Sequence, residues 1–183
     1  MNARAARPLA ALAAAALLLT ACSGSDEDVA TPVQEPLEQS CPAAPTPVAP
    51  PEDATTDLET KPVVAVPDEE PPAELQVSDI VVGEGDLACS GDAVAMQYVG
   101  VLYADGTQFD ASWDRGQEPF EFQLGGGQVI TGWDEGIVGM RQGGRRQLVI
   151  PAELGYGEQG AGADIPPGAA LIFVVDLVGV TEA

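Results

Sequence analysis

From Leu75 onward the apolar and polar positions of the chain fall into short, regular runs. "LQVSDIVV" (75–82) alternates loosely, as a half-exposed strand does, and "GEGDLACSGD" (83–92) reads as a loop. "AVAMQYVGVL" (93–102) is rich in β-formers, and "YADGTQF" (103–109) carries the Asp-Gly of a hairpin turn. "FEFQL" (120–124) alternates by twos. "RRQLVIP" (145–151) and "ALIFVVDLVGV" (170–180) read as buried strands, the second placing Leu171, Phe173, Val175 and Leu177 on one face. Helical spacing occurs only over about 130–138, where Trp133 and Ile137 lie one turn apart. That helix is weak, because Gly132 and Gly136 both disfavour it. The pattern predicts an α+β fold, a curved antiparallel sheet with one short helix packed on its concave side. No internal repeat is present.

Composition changes sharply at Leu75. Residues 23–74 hold most of the prolines, many acidic residues, a single basic residue (Lys61) and a single glycine, with no tryptophan, tyrosine or phenylalanine. Such a stretch buries too little apolar area to offset chain entropy, so residues 22–74 are expected to form a disordered, semi-rigid spacer preceding the domain at 75–183. A solvated stalk fits this composition better than an acidic binding tail. Residues 1–21 have a basic start (Arg4, Arg7), an apolar stretch from Leu9 to Leu19 and small residues before Cys22. This is the layout of a secretory signal, too short for a stable span. The end "LTAC" resembles the bacterial lipobox, which implies lipidation at Cys22 and an exported protein anchored to the cell membrane on its extracytoplasmic side.

Charge and residue inventory narrow the chemistry. The formal net charge is −22 and only Arg145 and Arg146 are adjacent basic residues, so nucleic acid is not an expected partner. With no histidine, Ser-His-Asp triads, Cys-His proteases and the usual zinc sites are excluded, and no metal is expected. Cys41 and Cys89 remain after lipidation. In an oxidising compartment they form a disulfide or stay as two thiols, since sequence does not fix their geometry.

The aromatics Tyr98, Phe109, Phe120, Phe122, Trp133, Tyr156 and Phe173 lie mostly on strands or at strand ends. A sheet could converge them over the helix, with Trp133 as the base of a bowl. On pattern alone a filled core is the expected reading over a hollow bowl, although periodicity itself does not distinguish them.

Four segments in fixed order, "VAMQYVGVLYADGTQFDASWDRGQEPFEFQLG", "GQVITGWDEGIVGMRQGGRRQLVIP", "ELGYG" and "IPPGAALIFVVDLVGV", closely resemble the FKBP-type peptidyl-prolyl cis-trans isomerases over residues 75–183. The resemblance implies a half-barrel sheet wrapped on a short helix with an apolar active site between them. It implies catalytic positions at Phe109, Asp110, Trp133 and Tyr156, and substrate-binding positions at Tyr98, Phe120, Val129, Ile130, Ile165 and Phe173. In the family the aspartate holds the pocket rim and contacts the arginine, here Arg115. The tyrosine hydroxyl, here Tyr156, and the backbone N–H at Ile130 donate to substrate carbonyls. Cofactors are not needed. Proline-containing polypeptides and macrolides are the implied ligands, and a monomer is expected. Two positions depart from many relatives: Ala161 stands for a histidine and Asp164 for an apolar residue, both expected to overhang the pocket. A peptide-gripping module or chaperone with little turnover is the competing reading, and an acidic display function of residues 23–74 is a third.

Overall fold

A computed structural model describes Cys41 and residues 44–183; the leader and the lipidation expected at Cys22 lie outside the described residues. Among those residues the chain forms β1 (Gln76–Val81), β2 (Ala93–Leu102), β3 (Gln108–Ala111), β4 (Phe120–Gln123), one helix α1 (Thr131–Gly136), β5 (Arg145–Ile150) and β6 (Leu171–Thr181). Short 3-10 turns occupy Ser112–Arg115, Ala152–Leu154 and Gly157–Gln159. The strands make a single antiparallel sheet in the order β1-β5-β6-β2-β3, with β4 also paired to β2. β3 pairs with Val99–Val101 and β4 with Ala93–Met96, so they line the same side of β2 at different heights. The stretch between them, residues 112–119, leaves the sheet as a loop.

Alternation along the strands sorts the side chains by face. One face carries Tyr98, Leu148, Ile150, Leu171, Phe173, Val175 and Leu177 into the main core, which closes on Trp133 and Ile137 of α1. The other carries Val99, Val101, Val149 and Ile172 into a second cluster. The expected α+β architecture, an open antiparallel sheet wrapped on one short helix, is what forms.

The two glycines of α1 explain how so weak a helix is used. A Cβ on Gly132 would sit 2.5 Å from Ile150 Cγ2, and one on Gly136 would sit 2.8 Å from Leu148 Cδ2. Their bare backbone lets α1 approach β5 closely enough to bury Trp133. Arg146 of β5 then donates through Nη1 to the carbonyls of Gly136 (2.8 Å) and Val138 (3.2 Å), satisfying acceptors at the helix end.

The spacer expected over 22–74 is corrected for residues 44–74, which fall in one compact unit with the sheet and run across it as a strap. The Val48 N–H donates to Val77 O (2.7 Å), extending the edge at β1. Arg145 Nη1 donates to Thr55 O (2.8 Å) and Asp57 O (3.0 Å), and Nη2 donates to Thr60 O (3.1 Å). Lys61 pairs with Asp114 at 2.7 Å, and Val64 and Val66 pack on the second cluster. Cys41 is disulfide-bonded to Cys89, with Cα atoms 5.3 Å apart. A segment without a core of its own has docked on a face that another part of the chain already provides.

Candidate functional site

On the concave face, β2, β6 and α1 bring a group of rings together. Trp133 is 5% exposed. Its indole lies edge-on to Tyr98 and to Phe173, with centroids 5.2 Å away in each case, and 5.8 Å from Phe122. Phe109 meets Phe173 edge-to-face at 5.4 Å, and Phe120 stacks on Phe122 at 5.6 Å. Edge-to-face pairs of this kind hold rings at fixed angles rather than as a loose apolar filling. Gly100 makes the Phe109–Phe173 contact possible, since a Cβ there would lie 2.7 Å from both rings. Above Trp133 a cavity of about 430 Å³ remains open, large enough for one proline and its neighbours.

The rim on the β3 side is polar and ordered. The Tyr98 hydroxyl donates to Asp110 Oδ2 at 2.5 Å and accepts from Arg115 Nη2 at 2.6 Å. Arg115 also pairs with Asp110 and stands 5.5 Å from the centroid of the Tyr98 ring. Burial pushes the Tyr98 hydroxyl above its ordinary range and Asp110 adds to the rise, so the phenol stays protonated and donating. The loop bearing Arg115 is fixed from beneath by Ser112, which is fully buried. The Ser112 hydroxyl accepts from Tyr98 N (2.9 Å) and donates to Gln97 Oε1 (2.5 Å), while Gln97 Nε2 donates to Gln117 O (2.5 Å).

The rest of the rim comes from two loops. In residues 124–130, Asp134 of α1 reaches back and accepts from the backbone N–H of Gly125 (2.9 Å) and of Gly127 (2.8 Å). This fixes the segment that presents Val129 and Ile130. Ile130 stands at the helix N-cap, and among the described residues no acceptor takes its N–H. The second loop closes through paired bonds between Ala161 and Ile165 (2.9 and 3.1 Å), with Tyr156 at its base, 39% exposed. Burial raises the Tyr156 hydroxyl above its ordinary range and the charge of Asp110 adds to it. Tyr156 O–H and Ile130 N–H are therefore two donors available to an incoming carbonyl.

The structure places Tyr98, Phe109, Asp110, Phe120, Val129, Ile130, Trp133, Tyr156, Ile165 and Phe173 around this single cavity, and Ala161 and Asp164 line it as well. Gln128 also lines it and was not anticipated; its Oε1 accepts from Gln123 N (3.0 Å). Gly100, Asp134 and Ser112 were missed too. Their signal was present only as a glycine inside a strand run and as polar residues flanking apolar ones, and neither names a partner. No group of three or more potential metal ligands occurs among the described residues.

Comparison with known proteins agrees with this geometry. A family model described as FKBP-type peptidyl-prolyl cis-trans isomerase matches residues 85–178. The FK506-binding protein of Streptomyces anulatus is 56% identical over 121 residues, covering 66% of this chain and 97% of that protein. The probable FK506-binding protein of Corynebacterium glutamicum is 48% identical over 118 residues, covering 64% of this chain and 97% of its own. The crystal structure of AtFKBP13 aligns with a TM-score of 0.55 at 40% identity, covering 61% of this chain and 96% of that one.

Proposed function

Since this chain belongs to the FKBP-type peptidyl-prolyl cis-trans isomerases, we propose that its cavity turns X-Pro bonds by holding the twisted amide better than either planar form. Rotation is opposed by amide resonance, a barrier of roughly 18–20 kcal/mol. The planar ground state owes that resonance to a charge-separated form that water stabilises. A proline seated on Trp133 between Tyr98, Phe109 and Phe173 loses that water, which weakens the resonance and lowers the barrier. Donors that fit the rotated carbonyl add binding present mainly in the transition state. Ile130 N–H and Tyr156 O–H supply such donors, and the Tyr98–Asp110–Arg115 group keeps the wall behind Phe109 in place. No nucleophile, proton donor or cofactor takes part.

The observation that carries this reading is the open aromatic cavity with Trp133 at its floor. The test is an isomerisation assay on an X-Pro tetrapeptide with the purified protein. Asp110→Val should cut kcat/KM by at least about tenfold, roughly 1.4 kcal/mol of activation free energy, with the fold retained by circular dichroism. Full turnover in that variant would remove Asp110 from the machinery.

The same reading extends to context. The "LTAC" boundary and basic start support a diacylglycerol anchor on Cys22 that holds a monomeric isomerase at the outer side of the membrane, acting on exported polypeptides. Intact-mass analysis of native protein should show the lipid on Cys22; an unmodified Cys22 would end that reading. Relatives named for FK506 binding support macrolides as ligands of the cavity, with Asp164 weakening a bulky apolar one that covers its carboxylate.

A further inference from the structure

The mouth of the cavity carries two carboxylates in different states. Asp110 is neutralised, since Arg115 pairs with it and the Tyr98 hydroxyl donates to it. Asp164 also lines the cavity, exposed, inside the turn closed by the Ala161–Ile165 backbone pair. Among the described residues no donor and no cation reaches it: the four ion pairs engage Asp114, Asp110, Asp176 and Asp79. Among the described residues no cation lines the cavity, and the guanidinium of Arg115 at its rim is already committed to Asp110 and Tyr98. The mouth thus bears one uncompensated negative charge, held in place by a short hairpin next to Ile165.

The aromatic floor at Trp133 takes the proline ring, so the residues flanking that proline must pass the mouth. We propose that Asp164 is a specificity-determining residue: it favours substrates with a cationic side chain beside the proline and disfavours those with an acidic one. The inference rests on the isomerase reading of this cavity and adds to it the charge class of the preferred substrate. Two charges some 6–8 Å apart in a largely solvated mouth interact enough to change binding by about three- to fivefold for each sign, and salt weakens the effect.

The test uses three peptides, Ala-Lys-Pro-Phe, Ala-Leu-Pro-Phe and Ala-Glu-Pro-Phe, in a protease-free isomerisation assay at low and high salt. The quantity read is the Lys/Glu ratio of kcat/KM within one preparation, so partial loss of fold cancels. The ratio should be about tenfold in the unmodified protein at low salt, fall close to one in Asp164→Asn, and shrink at high salt. Glu84→Gln, an exposed change away from the cavity, should leave the ratio alone; an equal fall there would assign the effect to the overall charge and overturn the proposal. An unchanged ratio in Asp164→Asn, with all three peptides turned over, would overturn it while the isomerase reading stands. Failure to turn over any of the three would overturn both.

Discussion

Gly132→Ala sets two effects of known size against each other. In an isolated helix the change would stabilise by about 1 kcal/mol, because glycine is the poorer helix former. Here the new methyl would stand 2.5 Å from Ile150 Cγ2, 2.8 Å from Cδ1 and 2.9 Å from Cγ1. Both branches of a β-branched side chain are hit, so no change of χ1 clears the contact. Ile150 is itself fully buried on β5 and cannot swing into solvent. Overpacking of this kind costs about 1–3 kcal/mol, and with three contacts under 3.0 Å the cost belongs at the upper end. The net expectation is destabilisation by about 1–2 kcal/mol. Denaturant melts followed by circular dichroism measure it. Activity should fall as well, because lifting α1 moves Trp133 away from Tyr98 and Phe173. The attribution is checked with Ile150→Ala, which removes all three offended atoms. Alone it should cost about 2–5 kcal/mol, and in combination Gly132→Ala should cost nothing or become favourable, a coupling of about 1–3 kcal/mol. If Gly132→Ala alone stabilises the protein, the glycine is not there for close approach and the account of α1 is wrong.

Replacing Cys41 and Cys89 by Ser should lower stability by up to about 4 kcal/mol, from the loop entropy of a 48-residue separation, and thermal melts with and without reductant would show it. Asp134→Ala removes an acceptor shared by Gly125 and Gly127 N–H; it should raise KM for an X-Pro peptide more than it lowers Tm, and an unchanged KM would separate the 124–130 loop from substrate binding. Arg145→Met should cost about 3–5 kcal/mol at neutral pH, because Asp176 is left buried without its partner. Burial already holds the Asp176 carboxyl above its ordinary value although Arg145 opposes the rise. A raised folded value gives stability that is complete below the ordinary carboxylate range and is lost as pH rises through the folded value. The penalty of Arg145→Met should therefore shrink toward acid pH, and a penalty independent of pH in urea melts would contradict this.

The strands were legible because each buries one face against a core, and burial of one face imposes a period of two on the sequence. The aromatic residues of the cavity were legible only as a set; nothing in their spacing says that a space is left between them. The polar positioning residues were not legible, because Asp134, Ser112 and Gln97 act on backbone groups 7 to 20 residues away and backbone groups carry no sequence signature. Two signals lay in view. Arg145 and Arg146 open an apolar strand run, and Asp176 interrupts another, so each must be paired if those strands are buried. Register then joins Arg145 to Asp176 directly.

That pair also explains why composition misjudged the strap. A Pro-rich segment without aromatics cannot nucleate its own core, but it needs none if its backbone carbonyls find donors and its few valines find a surface. Arg145 spends Nε and Nη2 on Asp176 and still has N–H groups facing outward, where the carbonyls of Thr55, Asp57 and Thr60 take them. Around it Val99, Val149 and Ile172 form an apolar patch that would face water without Val64 and Val66. The sheet therefore has two faces that need covering: α1 covers the one with the active cavity, and the strap covers the other, pinned at Cys89, β1 and Arg145. Leu75 marks a change in composition, whereas the compact unit reaches back to at least Cys41, so a fragment cut at Leu75 would leave a buried guanidinium half-satisfied and a hydrophobic face bare.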